Sequence, residues 1–197
     1  MRKRYFLPMV TTAALLLSAC ATRPTAEWQD SDYSGPIRDV LIIGVSENQT
    51  TRRIFEDTFV RELTERNVAA TASTTILAAD DRISKETVEA AVEGKSIDTV
   101  LVTRLLGVEE RESYQQPTST RYYGNYYSYY SQSWNYAHSG YYRKYQVLKL
   151  ETNVYDVKTS KLVWSMQSES VDPQSAQQVI QDQIKLVIKT LSERKLL

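Results

Sequence analysis

The sequence predicts an α/β fold: a mixed sheet covered by helices, in the order β-α-β-α-β-β-β-α, with a tyrosine-rich insertion between strands 3 and 4. Three observations predict it. Short aliphatic, β-branched runs at 40–45 and 100–106 have the length and composition of strands buried on both faces. Apolar residues at helical spacing follow the first run and close the chain. Strict alternation through 148–154 and 162–166 marks a hairpin with one face toward the core.

Taken in order, Val40-Leu41-Ile42-Ile43-Gly44-Val45 is the first strand, and Ser46 to Thr51 a polar turn. Gly44 reads as a place where a helix packs closely over the strand. Ile54, Phe55, Phe59 and Leu63 then form one helical stripe, opposite Arg52, Arg53, Glu56, Asp57, Arg61, Glu62 and Glu65. Asn67 suits a left-handed stop, and Val68 to Ser73 a short strand of small residues. Asp80, Asp81 and Ser84 offer caps for a second helix. It runs to Glu93, ends at Gly94, and carries Val88, Ala91 and Val92 as its stripe. The strand at 98–108 is expected to fray into Glu109-Glu110-Arg111-Glu112. After the insertion, Leu148, Leu150, Thr152 and Val154 alternate with Lys149, Glu151 and Asn153, and a polar turn at 156–161 leads to Leu162, Trp164 and Met166. Asp172-Pro173 reads as a cap followed by a first-turn proline. The closing helix buries Ala176, Ile180, Ile184, Val187, Ile188 and Leu191 on one side.

The amino terminus is of another kind. Arg2, Lys3 and Arg4 precede an apolar run from Phe6 to Leu17, which ends in Leu17-Ser18-Ala19-Cys20, the last being the single cysteine of 197 residues. The run carries Pro8, Thr11 and Thr12 and falls short of the roughly 20 apolar residues a bilayer span needs. It has the parts of a secretory signal with a small-residue cleavage site. Leu17-Ser18-Ala19-Cys20 resembles the lipobox of bacterial lipoproteins. That resemblance implies removal of 1–19, lipidation of the Cys20 thiol and acylation of the new amino terminus. Ala21 resembles the outer-membrane sorting class, which implies an anchor in the outer membrane with the protein facing the periplasm. With one cysteine no internal disulfide forms. Removing the signal takes away three basic residues, so the balance of 24 basic and 24 acidic side chains moves slightly acidic. Such a chain lacks the basic face that nucleic-acid binding requires.

Residues 20–37 have no apolar period, and Pro24, Gly35 and Pro36 mark them as the acylated cysteine and a flexible tether. A coil of about 16 residues spans roughly 20–24 Å and stretches to about 55 Å. The expected organisation is therefore a signal peptide at 1–19, this tether, and one α/β domain at 38–197 with the insertion at 113–145.

The strand DVLIIGV, the helix RRIFEDTFVRELTERNV, the strand DTVLVTRL and the hairpin VLKLETNVYDVKTSKLVWS are similar to the periplasmic lipoprotein domains related to the amino-terminal domain of TolB. That group includes the DUF4136-like outer-membrane lipoproteins and the penicillin-binding-protein activator lipoproteins. The resemblance implies a non-enzymatic accessory or adaptor role at the cell envelope.

The insertion between 114 and 145 holds 11 of the 14 tyrosines, and no acidic residue lies between Glu112 and Glu151. Two readings of its form stand side by side, a low-complexity loop and an extended β-hairpin arm. A flat ring with a hydroxyl tip suits protein interfaces, sugar stacking and headgroup contact. Tyr122, Tyr123, Tyr126, Tyr127, Tyr129, Tyr130, Trp134, Tyr136, Tyr141 and Tyr142 are thus the candidate contact surface, for an envelope protein, a second copy or envelope glycan. Binding of peptidoglycan or a small ligand is the alternative function. No catalytic set, metal site or cofactor is expected. His138 is the one histidine and lies in the insertion, and the six glycines form no phosphate-binding pattern. The acidic pairs Asp80-Asp81 and Glu109-Glu110 read as solvated faces.

Overall fold

The computed structural model describes residues 22–33, 35–77, 84–115, 126–127, 129–130, 133–134 and 140–197; the signal segment, Cys20 and Ala21 lie outside them. The elements are β1 (Thr22–Gln29), β2 (Asp39–Val45), α1 (Gln49–Thr64), β3 (Ala69–Ala72), α2 (Lys85–Val92), β4 (Thr99–Gln115), β5 (Tyr141–Asp156), β6 (Leu162–Val171) and α3 (Ala176–Glu193). They build one six-stranded mixed sheet in the order β1-β6-β5-β4-β2-β3. β2 pairs in parallel with both β3 and β4, so each connection needs a crossover, supplied by α1 and α2. The other pairings are antiparallel.

Alternation along β2 explains its unbroken aliphatic run. Val40 and Ile42 face the core under α1 and α3, with Phe55, Phe59, Leu63, Trp164, Met166 and Ile184. Leu41 and Ile43 face a smaller core with Val92, Ile97 and Val100 on the α2 side. Gly44 lies under α1, where an added Cβ would sit 3.0 Å from Phe55 Cδ1. Ser84 caps α2 through a capping box with Thr87, as its place in the sequence suggested; Asp80 and Asp81 lie outside the described residues. Asn67 takes the left-handed conformation that stops α1, with φ 62°.

Four expectations are corrected. Residues 22–29 are not tether: they form β1, the sheet's edge strand, antiparallel to β6 with Thr22 opposite Ser170. The signal is faint because polar ties hold this strand. Glu27 accepts from Trp164 Nε1 at 3.0 Å and from Arg194 Nε and Nη2 at 2.7 and 2.8 Å. Pro24, which has no N–H to give a ladder, sits at the register shift of an outer strand, where proline is tolerated. Ile37 is buried, and its N–H donates to Leu196 O at 2.8 Å. Second, the buried face of α1 contains Arg52 and Glu56, while Ile54 is exposed. Third, β4 does not fray at 109–112 but runs on to Gln115, because β5 pairs with it throughout. Fourth, α3 is capped by Ser175, whose side chain accepts from Gln178 N. Asp172 instead turns at φ 49° and donates its N–H to Gln146 O at 2.7 Å.

Candidate functional site

β4 and β5 outlast their neighbour. β6 ends opposite Val147, so the six register pairs from Glu110↔Gln146 to Gln115↔Tyr141 form a two-stranded ribbon standing clear of the sheet. At about 3.4 Å per residue it projects roughly 20 Å. A lone ribbon is marginal in water, so its cross-strand pairs matter. Tyr114 and Tyr142 stand opposite each other with ring centroids 5.3 Å apart. Gly140 leaves room for that contact: a Cβ there would fall 1.9 Å from Tyr114 Oη. Lys144 bridges Glu110 and Glu112 at 2.9 and 3.5 Å, and Arg143 pairs with Asp172 where the ribbon meets the sheet.

The ribbon realises the hairpin-arm reading at the two ends of the insertion, 113–115 and 141–145, while residues 126–127, 129–130 and 133–134 are helical and not strand. Tyr141 and Tyr142 lie on its second strand, and Tyr126, Tyr127, Tyr129, Tyr130 and Trp134 fall in the connection between its strands. All seven are exposed, Tyr127 at 82%. Tyr126 and Tyr127 pack edge to face, ring centroids 5.3 Å apart. Tyr122, Tyr123, Tyr136 and His138 lie outside the described residues.

The adjacent carboxylates of β4 do not converge. Successive strand residues point to opposite faces. Glu109 pairs with Lys149 and with Arg111 at 2.9 Å, whereas Glu110 pairs with Lys144. At the ribbon's foot Glu169 accepts from Arg111 Nη2 at 2.7 Å and from Arg23 Nη2 of β1 at 3.3 Å.

No protein-family model matches the sequence, and no curated protein matches it. Solved structures similar to this chain include the PelC dodecamer from Paraburkholderia phytofirmans, with a TM-score of 0.44 at 10% identity over 87% of this chain and 94% of that one. They also include lipoprotein GNA1162 from Neisseria meningitidis, at a TM-score of 0.41 and 13% identity over 79% and 99%. A PDZ domain protein from Parabacteroides distasonis follows at 0.35 and 12% over 82% and 33%.

Two features escaped the sequence reading. One is a cavity of about 190 Å³ beyond the end of β2, between the sheet and the first turns of α1 and α3. Val45, Phe55, Leu105, Leu148, Val179 and Ile180 line it, with Arg104 at its rim. The other is a closed polar cluster beside it. Glu56, fully buried, accepts from Gly44 N at 2.9 Å, Arg52 Nε at 3.0 Å, Ser73 Oγ at 2.7 Å and Thr74 N at 2.8 Å. Arg52 Nη2 donates in turn to Ser73 Oγ at 2.8 Å. The spacing of Arg52 and Glu56, four residues apart, was the signal available for the pair.

The carboxylates that hold β1 give the fold a pH dependence. The Arg194 bond holds Glu27 below its ordinary range, and the Arg111 bond does the same for Glu169. Both folded values lie under the unfolded carboxylate value of about 4.3. Their stabilisation is therefore complete above that pH and drains away as pH falls through the folded values. Melting followed by circular dichroism at constant ionic strength should give a Tm that is level from pH 7 to about 5 and falls below about 4. In Glu27→Gln the acid decline should be shallower; a Tm level down to pH 3 in the parent chain contradicts this account.

Proposed function

We propose that this chain is a lipoprotein anchored in the outer membrane through Cys20, facing the periplasm, that works by contact rather than by catalysis. In this reading it is an envelope accessory protein, and the ribbon with its aromatic connection is its contact surface. One observation carries it: Leu17-Ser18-Ala19-Cys20 stands two residues ahead of a folded strand, in a domain from whose sheet a ribbon with exposed tyrosines projects. The carboxylates nearest that arm are each engaged with a cation, which suits scaffolding better than proton transfer.

The anchor is tested by intact mass of the native product. The expected species begins at Cys20 and carries acyl chains, and Cys20→Ala should leave the membrane fraction. A free thiol, or a chain still carrying residues 1–19, refutes the reading. Small-ligand binding is the second reading, and the cavity beside Phe55 favours it. Its lining is mostly apolar, with Thr103, Arg104 and Gln183 among the polar exceptions, which fits a small hydrophobic molecule better than a sugar.

A further inference from the structure

We propose that the aromatic arm is a membrane-contact device, lying in the headgroup layer of the leaflet that holds the Cys20 anchor. This rests on the lipoprotein reading and deepens it by naming what the arm touches. The argument is one of placement. β1 enters the sheet at Thr22, level with Ser170 of β6 and Leu148 of β5. The ribbon departs from that same end, from Glu110 and Gln146 onward. In the sheet order β1-β6-β5, two strand spacings separate β1 from the ribbon's nearer strand, about 10 Å.

Cys20 precedes Thr22 by two residues, a reach of at most about 7 Å. Because β1 is strand and not tether, no slack remains to lift the domain away. An arm of roughly 20 Å that starts beside a 7 Å leash, at the same end of the sheet, meets the surface that holds the leash. Sheet twist turns the ribbon by roughly 40–50° from β1 over two strand steps, so the ribbon and the leash meet that surface at different angles.

The arm's chemistry fits such a position. Tyr and Trp favour the membrane–water boundary, where an apolar ring and a polar tip are both satisfied. Tyr126, Tyr127, Tyr129, Tyr130, Trp134 and Tyr142 are exposed. Beyond Glu112 the insertion has no acidic residue to be repelled by phosphate headgroups. Glu110 and Glu112, nearer the sheet, are both bridged by Lys144. A hydrophobic core element would need aliphatic residues that this segment lacks.

The test uses the full mature lipoprotein reconstituted into phosphatidylethanolamine/phosphatidylglycerol vesicles, with or without lipids brominated near the headgroup end of the acyl chain. Tryptophan fluorescence is the readout. Trp164 is fully buried in the core, so quenching reports Trp28 and Trp134. Brominated vesicles should quench the parent protein, and Trp134→Phe should remove at least half of that quenching. A variant lacking 116–139 provides the second comparison and should lose it to the same extent. Equal fluorescence in brominated and plain vesicles, or quenching untouched by both variants, overturns the proposal. Arm-to-arm crosslinks without quenching would assign the surface to a second copy, and arm-dependent retention on peptidoglycan without quenching would assign it to glycan; either also overturns it. Intact mass on the same preparation reads the anchor separately, so loss of the anchor and failure of the arm give different results.

Discussion

Glu56→Ala should cost this protein about 3–5 kcal/mol, the loss expected when one partner of a buried ion pair is removed. For a domain of this size that corresponds to a drop in Tm of roughly 6–20 °C. The cause lies in what the substitution strands. Arg52, itself buried, would keep its charge without a counter-ion. The N–H groups of Gly44 and Thr74 would lose their acceptors, and Ser73 one of its two partners. Through Glu56 the end of β2, the first turns of α1 and the turn after β3 share one anion, so the damage reaches three elements. Replacing both partners, Arg52→Leu with Glu56→Leu, should be milder than Glu56→Ala, because neither charge is then orphaned. Urea denaturation of the three proteins decides it. A Glu56→Ala midpoint within about 1 kcal/mol of the parent would show that the cluster contributes little.

Trp164→Ala is the second large effect. Trp164 is fully buried, and truncating a buried aromatic typically costs about 3–5 kcal/mol. Its indole N–H also holds Glu27, so the edge strand loses a tie together with the core. Trp164→Phe separates the two. It keeps most of the volume and should cost on the order of 1 kcal/mol for the lost bond, while amide exchange in Thr22–Gln29 quickens. Hydrogen exchange read by mass spectrometry distinguishes local release of β1 from global unfolding. Unchanged protection of β1 in Trp164→Phe would mean that the Trp164–Glu27 bond is not what docks it, since Arg194 still holds Glu27 in that variant. On the proposed lipoprotein reading, release of β1 would restore the long leash the sequence suggested and free the arm from the surface.

The fold was legible where burial leaves a period. β2, β5 and β6 showed their faces through aliphatic runs and alternation, and Ile180, Ile184, Val187, Ile188 and Leu191 marked α3. It was illegible where polar groups do the holding. β1 reads as linker because Glu27, Arg23 and Asp30 secure it through partners far along the chain, at Arg194, Glu169 and Val163. Arg52 and Glu56 read as a solvated face because charge suggests exposure until a partner four residues away is considered. The end of β4 looked like a fray because Glu109, Glu110 and Glu112 suggest repulsion in one strand, whereas Lys149 and Lys144 across the ladder neutralise them. Of the site, composition exposed the aromatic arm but not its direction. That direction follows from the register of β1 on β6, which no local pattern encodes.

The pairing of β1 with β6 also sets an order of events. Thr22 finds Ser170 only once almost the whole chain has been made. Contacts this distant in sequence close late, since loop entropy must be met first. Until then the residues of β1 have no ladder partner, and the outer edge of the sheet is closed only when β6, its last strand in sequence, is in place. The edge strand therefore seats itself last; were the chain exported and lipidated as proposed, its terminus would be processed before the sheet is completed, without any separate timing device.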